Sequence, residues 1–467
     1  MALVDHARSL AAPALLVMAI MLGGGSHRTA GVPANAMLQV LAVILIVFSV
    51  ATRRAPLNSE GVRPLLLIGA LWLLVGVAFL IPLPHDMWTS LPGRDTVAQG
   101  LAAVGAPEGS FPVSMAPYES MNSLLRLLPA TAMFMLTLQL SYRDRRRLVF
   151  WFMGIALVSI CLGIAQIAGG PMSSLRFYSV TNPNMPVGFF ANGNHQATLL
   201  LCALAYCGFL LARRGRKADR KDRAVAIFGG IMALFFTVGI AIVGSTAGYG
   251  LLIPVAAGVA LIYRKAMVGV LSWVWIGAVA AVFSLALALA FVGPFSNQDV
   301  AEQFGSSPTS RRVIAETTVQ AIGDHMPIGT GLGTFPQVYR LYEDPTVVRS
   351  VYVNHAHNDF LEVALETGIF GIILMIAFLA WFVHRAGAAW RSDREGANLA
   401  RAATLAIVAV LGFSLVEYPL RTSAMAVVFA MSCAFLLPAR ASSRSSSRST
   451  RDNPASAGSG LRHMEAT

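Results

Sequence analysis

Long apolar runs separated by short polar segments dominate the amino-acid sequence from its start to about residue 438. A helix needs about 20 apolar residues to cross the hydrocarbon core of a bilayer. The pattern predicts twelve such helices, at residues 9–25, 36–52, 64–82, 123–141, 148–168, 194–212, 224–243, 247–263, 267–293, 361–383, 399–416 and 421–437. Two long polar segments, residues 83–122 and 294–360, interrupt the series.

The composition supports this interpretation. Of the 467 residues, 56% are hydrophobic and only 12% are charged, whereas soluble domains contain about 25% charged residues. The sequence therefore predicts an all-α, polytopic integral membrane protein. The net charge of +12 is concentrated in short clusters between the apolar runs, which indicates membrane topology and no nucleic-acid partner. The four cysteines lie within apolar runs and predict no disulfide framework.

The basic clusters occupy every second gap between the predicted helices, at residues 53–54, 142–147, 213–223, 264–265 and 384–401. The positive-inside rule then places both termini in the cytoplasm and both long loops on the outer face. The predicted organisation is nine transmembrane helices in 1–293, an outer loop with short helices in 294–360, three helices in 361–438, and a basic cytoplasmic tail in 439–467. The Ser/Arg-rich composition of that tail is typical of disorder.

The segment "VNHAHNDFLEVALETGIFG", residues 353–371, concentrates polar side chains directly before the tenth predicted helix. Asn358 is suited to cap this helix, with Asp359 and Glu362 opposing the helix dipole in the first turn. Spacings of three and four place these carboxylates and Glu366 on one helical face. Glu366 lies within the expected membrane boundary, where an ionisable group needs a partner or a water-filled cavity.

The histidines that map to the predicted outer face include His195, His325, His355 and His357. For His355 and His357 three interpretations are open: hydrogen-bonded interfacial residues, a general base for a hydroxyl proton, or ligands of a metal in "HAHND". No further cluster of Cys, His or Asp in the outer loops completes a metal site. The sequence therefore favours the general base.

Several arginines map to the same face. They are Arg126 one turn into the fourth predicted helix, Arg311 and Arg312 on a loop helix, and Arg421 at the start of the twelfth. Arginine near the membrane boundary is costly unless it is paired, and its planar fork suits phosphate oxygens. Glu417 is an equally available partner for Arg421, so a purely structural ion pair is also possible. A histidine base with several arginines suggests deprotonation of a hydroxyl beside a phosphorylated lipid leaving group.

The remainder of the second outer loop predicts a short amphipathic helix from about Ser310, capped by Ser307 or Thr309. The glycine-rich stretch "GTGLGTF", residues 329–335, follows that helix. Its glycines either make turns only or cradle a phosphate. The sequence leaves both alternatives open.

Four segments resemble a known family in their order along the chain. They are "GFFANGNHQATLL" (188–200), "RRVIAETTVQAIGDHMPIGTGLGTFPQVY" (311–339), "VNHAHNDFLEVALETGIFG" (353–371) and "SLVEYPLRT" (414–422). Together they resemble the O-antigen ligase and Wzy-type polysaccharide polymerase superfamily. The resemblance covers about residues 185–425.

The resemblance implies a GT-C-like inverting glycosyltransferase of the bacterial inner membrane that acts at the periplasmic face without metal or cofactor. Its donor would be an undecaprenyl-diphosphate-linked glycan, and its acceptor a sugar hydroxyl of lipid A-core or of a lipid-linked repeat unit. By resemblance, His357 takes the place of the essential histidine, with His355 beside it. Arg311 has the spacing of the diphosphate-contacting arginine, with Arg312, Arg421 and Arg126 as further candidates. The supporting residues would be Asn358, Asp359, Glu362, Glu417, Asn194 and His195.

Two positions depart from the pattern of many relatives. Thr246 follows Ser245 where those relatives have an arginine, and Gly193 replaces the arginine of "NRNH". Two anion-binding positions are therefore lost. Arg126, Arg176 and Arg421 are the candidates to compensate for them.

The segments "GNH" and "VEYPLRT" look more like the polymerase-type members, so the sequence favours polymerisation of repeat units over ligation to lipid A-core. A secondary transporter is an alternative of another class, because twelve spans with both ends inside are common among transporters. The scarcity of mid-membrane charge and of internal repeats disfavours it. A non-catalytic scaffold that binds polyprenyl phosphate is a third possibility.

Overall fold

A computed structural model describes residues 2–25, 32–53, 61–105, 109–213, 219–266, 311–346, 352–394 and 396–439. Over these ranges the chain is helical apart from one short two-stranded antiparallel sheet and connecting loops. Three features predicted from the sequence lie outside the described residues: the span at 267–293, the cap at Ser307 or Thr309, and the tail beyond residue 439.

The N-terminal part contains eleven described helices and the two-stranded sheet. The helices are α1 (Ala2–Leu22), α2 (Val32–Ala51), α3 (Val62–Ala78), α4 (His85–Thr89), α5 (Asp95–Ala103), α6 (Pro117–Leu125), α7 (Leu127–Gln139), α8 (Tyr142–Ala168), α9 (Gly193–Leu211), α10 (Arg220–Val243) and α11 (Thr246–Ala266). In the first long loop, strand β1 (Pro82–Leu83) pairs antiparallel with β2 (Phe111–Pro112).

The C-terminal part contains five described helices. These are α12 (Arg311–His325), α13 (Phe335–Tyr342), α14 (Asp359–Arg391), α15 (Ala397–Phe413) and α16 (Ser423–Phe435), with a 3-10 turn at Pro419–Arg421. Asn358 caps α14 as predicted, because its side-chain oxygen accepts the backbone N–H groups of Phe360 and Leu361.

Every predicted span other than the ninth coincides with a described helix. Within the described ranges, eight helical segments are long and apolar enough to cross a membrane, and α3, α15 and α16 are shorter apolar helices. The helical class is therefore confirmed, while the total of twelve spans stays a prediction. The fourth predicted span is interrupted, because α6 ends at Leu125 and α7 begins at Leu127.

Helix α9 forms the centre of the bundle. It is buried on nearly all sides and packs against α10, α11 and α15, which explains why its sequence is apolar all round. The outer helices instead expose large apolar side chains such as Val40, Leu74 and Ile231. Such a surface is typical of helices that face lipid.

The two ends of α9 lie at opposite ends of the bundle, separated by about 28 Å for a helix of this length. The end after Leu211 is lined by Arg146, Arg213 and Arg401, and we call it the basic end. The end at Gly193 adjoins residues 355–366 and 414–421, and we call it the site end. Three basic segments that the sequence grouped on one side thus meet at one end. Which compartment that end faces stays a prediction.

Candidate functional site

Glu417 is the centre of the first polar cluster at the site end. It follows α15, and its side chain is only 1% exposed. Its carboxylate accepts hydrogen bonds from Asn194 Nδ2 at 2.6 Å and from Arg311, and His357 Nδ1 lies at 3.3 Å. Asn192 Nδ2 lies slightly farther away, at 3.4 Å. We call these five residues the Glu417 cluster; they come from four distant parts of the chain.

Glu417 remains ionised in this environment. Burial acts to raise the pKa of its carboxyl, but the nearby His357 and Arg311 lower it by more, so the pKa lies below its ordinary range. An ionised carboxylate can only accept hydrogen bonds. In the neutral imidazole of His357, donation of the Nδ1 proton towards Glu417 leaves the lone pair of Nε2 available to accept a proton.

His357 has an unusual backbone conformation. Its φ is 50°, and among the described residues other than glycine it alone has a positive φ. This left-handed backbone conformation costs about 1–3 kcal/mol when the surroundings impose it. The side chain is 24% exposed, in contrast to the buried Glu417. The imidazole is therefore held by its backbone and by Glu417 while part of its surface stays accessible.

Arg421 is the centre of a second cluster, in the 3-10 turn before α16. Its Nη1 lies 2.8 Å from Glu366 and 3.5 Å from Glu362, and its Nε lies 3.5 Å from Asp359. The three acids occupy one face of α14, as the spacing predicted, and all are buried. His355 Nδ1 lies 2.9 Å from Glu362 and extends the network. We call these five residues the Arg421 cluster.

This arrangement settles the alternative that the sequence left open for Arg421. Its partners are Asp359, Glu362 and Glu366, whereas Glu417 pairs with Arg311. Glu417 is close to Arg421 in sequence but does not pair with it, because α14 presents three carboxylates to the 3-10 turn that contains Arg421. Glu366 thereby obtains the partner that an ionisable group at the membrane boundary requires.

Tyr418 connects the two clusters, and the sequence analysis assigned it no role. Its ring centroid lies 4.1 Å from that of His355, 5.0 Å from His195 and 5.2 Å from His357. Burial raises the pKa of its phenol, and Glu417 raises it further. Tyr418 therefore remains neutral and acts as a rigid packing surface for the three imidazoles. The position of three histidines around it is a tertiary feature without a local sequence signal.

Helix α14 is broken at Gly368, and the segment directly before the glycine-rich stretch provides a hydrogen-bond partner at the break. Gly368 has φ 58° and ψ −143°, and a Cβ there would lie 2.2 Å from the carbonyl oxygen of Pro327. The N–H of Ile369 donates to that same oxygen at 2.9 Å. Backbone groups freed within a membrane helix must find partners in this way. Only glycine fits this position.

The glycine-rich stretch also contacts Glu366 directly. Gly331 N–H donates to the Glu366 carbonyl at 2.7 Å, Thr330 N–H donates to the Leu365 carbonyl at 3.1 Å, and Gly333 N–H donates to the Glu366 carboxylate at 2.8 Å. Of the two alternatives left open, the turn role is observed. The backbone N–H groups of Gly331 and Gly333 already bind α14, so they are occupied.

The first long loop, residues 83–122, forms hydrogen bonds with the glycine-rich stretch. The sequence did not predict this contact. Met115 N–H donates to the Thr330 carbonyl at 2.8 Å, and Ser120 Oγ donates to the Leu332 carbonyl at 2.7 Å. The fully buried Arg94 donates from Nη2 to the Val113 carbonyl at 2.7 Å. Residues far outside the region of resemblance thus stabilise the glycine-rich stretch, which in turn contacts Glu366.

The other predicted arginines occupy different positions. Arg311 is 24% exposed beside Glu417, whereas Arg312 is 70% exposed and pairs with Glu316 one helical turn away. Arg126 lies at the junction of α6 and α7, close enough to Arg421 and Glu366 to interact electrostatically. Arg176 donates to backbone carbonyls of its own loop, including those of Asn182 and Pro183.

The supporting residues also lie together. Asn194 bridges Glu417 and the Ser245 hydroxyl, which donates to Asn194 Oδ1 at 2.6 Å. His195 is buried, with its ring edge-on to Tyr418. His325 is not part of either cluster; it is buried on α12, with Nδ1 2.8 Å from the Ala321 carbonyl. Within the described ranges, no group of three or more His, Cys, Asp or Glu side chains could hold a metal ion.

Comparison with known proteins agrees with the resemblance drawn from the sequence. Residues 231–376 match the family model of O-antigen ligase. No curated protein matches the chain at a significant level. The matched region includes Ser245, Arg311, His357 and the acids of α14, whereas Asn194, Glu417 and Arg421 lie outside it. The match over residues 231–376 thus supports the resemblance to the O-antigen ligase and Wzy-type polysaccharide polymerase superfamily.

Proposed function

We propose that this protein is a membrane glycosyltransferase that moves a glycan from undecaprenyl diphosphate to a sugar hydroxyl. The observation that carries the proposal is the Glu417 cluster, in which one buried carboxylate contacts both the accessible imidazole of His357 and the guanidinium of Arg311. The family match adds the class of reaction, because O-antigen ligases attach polysaccharide to an acceptor. A base and a phosphate-binding group are the two functions that this reaction needs.

His357 is the proposed general base. The hydroxyl oxygen of the acceptor attacks the anomeric carbon of the donor sugar, and His357 Nε2 accepts the hydroxyl proton. The bond between the anomeric carbon and the phosphate oxygen breaks as the new glycosidic bond forms, with inversion at that carbon. Glu417 holds the Nδ1 proton and stabilises the imidazolium that results.

Arg311 is the proposed contact for the departing diphosphate. Its side chain retains some exposure while pairing with Glu417, and its guanidinium has five donors, more than one carboxylate can use. Arg126 and Arg312 are candidates for additional contacts. Arg421 is surrounded by three carboxylates, so its proposed role is to position the start of α14 and the segment that carries His357.

The acceptor defines two versions of the proposal. In the favoured version the acceptor is a lipid-linked repeat unit, and the product is an exopolysaccharide or O-antigen polymer. In the alternative version the acceptor is lipid A-core, and the protein is a ligase. In both, the reaction uses no metal or other cofactor and takes place at the periplasmic face of the bacterial inner membrane, with both termini of the protein in the cytoplasm.

The test is glycan transfer by the purified protein in proteoliposomes supplied with an undecaprenyl-diphosphate-linked repeat unit. The wild type should transfer glycan, and His357→Ala should lose about 10²- to 10⁴-fold in rate, the usual contribution of a general base. His384→Ala is the matched control, because His384 is exposed towards the far end of α14. Both variants should insert into the membrane at the wild-type level.

Offering lipid A-core and a second repeat unit as separate acceptors distinguishes ligation from polymerisation. A wild type that transfers to neither acceptor would contradict the proposed function. Undiminished transfer by His357→Ala would remove this histidine from the mechanism and leave the class of reaction intact.

A further inference from the structure

A cavity of about 550 Å³ lies at the basic end, at the opposite end of α9 from both clusters. Its charged lining comes from segments far apart in sequence: Arg146 on α8, Arg213 after α9, Asp222 on α10, and Asp393, Arg394 and Arg401 around the start of α15. Among the described lining residues, four arginines thus face two aspartates. This cavity belongs to no part of the proposed glycosyl-transfer site.

The two aspartates of the cavity differ in how strongly they offset the charge of the arginines. Asp222 lies 2.7 Å from Arg213. Asp393 lies 3.3 Å from Arg401, but its own side chain is 93% exposed, so solvent screens this pair. Arg394 lines the cavity from an exposed position. Among the described lining residues, Arg394 and Arg401 therefore keep positive charge at the cavity wall.

Arg401 is the buried member of the group, with only 4% exposure. It donates from Nη1 to Asn398 Oδ1 at 2.6 Å and from Nη2 to the Ser392 carbonyl. Its Nε has no hydrogen-bond partner among the described residues. A buried guanidinium with a donor unused and a screened counter-ion is costly unless another anion approaches it.

The start of α15 provides a second feature that favours an anion. The helix begins after Gly396, whose φ is 92°, and no side chain caps it. Gly396, Ala397 and Asn398 all line the cavity. The N–H groups of Ala397 and Leu399 already donate to the carbonyls of Arg394 and Gly396, so the start of the helix contributes its partial positive charge, which attracts phosphate and similar anions.

We propose that this cavity binds a phosphate ester, and that the ester is the headgroup of an anionic phospholipid. The volume lies within the range of small-molecule sites. The cavity lies where α8, α10 and α15 begin and α9 ends, the level at which a bilayer presents its headgroups. Tyr142 and Phe209 contribute aromatic rings to the lining, as is common at the membrane interface. Basic pockets between transmembrane helices are known to bind anionic headgroups.

The experiment titrates the detergent-solubilised full chain with phosphatidylglycerol, phosphatidylcholine or inorganic phosphate, and follows binding by native mass spectrometry and by thermal unfolding. Phosphatidylglycerol should bind more tightly than phosphatidylcholine and raise the unfolding temperature. In the variant Arg146→Gln/Arg394→Gln, affinity for phosphatidylglycerol should fall by about fivefold or more. Asp393→Asn should strengthen binding, because it removes an exposed negative charge from the rim.

Arg223→Gln is the matched control, since Arg223 is exposed at the same end but does not line the cavity. It should bind phosphatidylglycerol as the wild type does. Inorganic phosphate that stabilises the protein as well as phosphatidylglycerol, with the same loss in the double variant, would overturn the lipid source and leave a site for soluble phosphate. Equal binding of the two lipids, or unchanged affinity in both the double variant and Asp393→Asn, would overturn the site itself.

Discussion

The Glu417 cluster and the Arg421 cluster adjoin each other at the site end and use the same kinds of side chain in opposite proportions. In the Glu417 cluster, one carboxylate contacts a guanidinium and an imidazole, and each of these side chains is 24% exposed. In the Arg421 cluster, three carboxylates that are at most 7% exposed surround one guanidinium that is 16% exposed. Arg311 and His357 are thus accessible enough to contact a substrate, whereas the guanidinium of Arg421 is surrounded by carboxylates of the protein.

This difference suggests a division of labour between the clusters. Breaking a buried ion pair leaves an uncompensated charge, which is strongly destabilising. We therefore expect substitutions in the Arg421 cluster to act on folding, and substitutions in the Glu417 cluster to act on transfer. The predictions below test that division.

The largest effect is expected from Arg421→Gln. It leaves Asp359, Glu362 and Glu366 buried without a cation, at a cost of about 3–5 kcal/mol in the free energy of unfolding. The variant should accumulate poorly in the membrane and unfold at a much lower temperature, as measured by fluorescence-detected gel filtration after heating. Arg391→Gln, at the other end of α14, should resemble the wild type. Normal stability of Arg421→Gln would contradict the holding role of this cluster.

Glu417→Gln should act mainly on catalysis. The amide can still accept from Asn194, but it no longer stabilises an imidazolium at His357, and partners that orient a functional histidine are typically worth about 10- to 100-fold in activity. Steady-state transfer assays should show a fall in kcat with a small change in KM for the lipid donor. Glu316→Gln, on the exposed face of α12, is the control. A fall in thermal stability equal to that of Arg421→Gln would remove the distinction between the clusters.

The stability of the Arg421 cluster should depend on pH through His355. Burial lowers the pKa of this imidazole below its ordinary value, although Glu362 opposes the shift. In the unfolded chain the pKa is about 6.5, so between the two values the unfolded state binds more protons and stability rises with pH. The contribution of His355 to the unfolding temperature should therefore fall as the pH drops below about 6.5, so the unfolding temperature of the wild type should rise more steeply with pH than that of His355→Gln. An unchanged slope would show that another group titrates.

The smallest effect is expected from Arg312→Gln. The pair of Arg312 with Glu316 is exposed on α12, and such i,i+4 pairs contribute little. Transfer should change by less than about twofold if Arg311 alone contacts the diphosphate on this helix. Arg311→Gln, measured in parallel, should lose far more. A large loss in Arg312→Gln together with a small loss in Arg311→Gln would exchange their assignments.

The sequence predicted the local features of the fold well, because they depend on neighbouring residues. Apolar runs predicted the helices, Asn358 predicted the start of α14, and the spacing of Asp359, Glu362 and Glu366 predicted their common face. Their partner was not predictable in the same way. Arg421 meets them only because the turn before α16 packs against α14, and no local pattern encodes that contact.

The features that the sequence analysis missed are all long-range. The break at Gly368 reads as an ordinary glycine in an apolar helix until the carbonyl of Pro327 is seen beside it. Tyr418 gains its role from three histidines that lie far away in sequence. The support of the glycine-rich stretch by Met115 and Ser120 crosses more than 200 residues for the contact with Leu332. Such contacts depend on how helices pack.

The central claim is that His357 and Glu417 act as one unit in transfer, and a double-mutant cycle tests it most directly. Rates of glycan transfer would be measured for the wild type, His357→Ala, Glu417→Gln and the double variant, all at matched amounts of folded protein. Because the role proposed for Glu417 in proton transfer runs through His357, Glu417→Gln should slow the His357→Ala protein much less than it slows the wild type. Losses that multiply, with Glu417→Gln slowing the His357→Ala protein as much as it slows the wild type, would contradict the account.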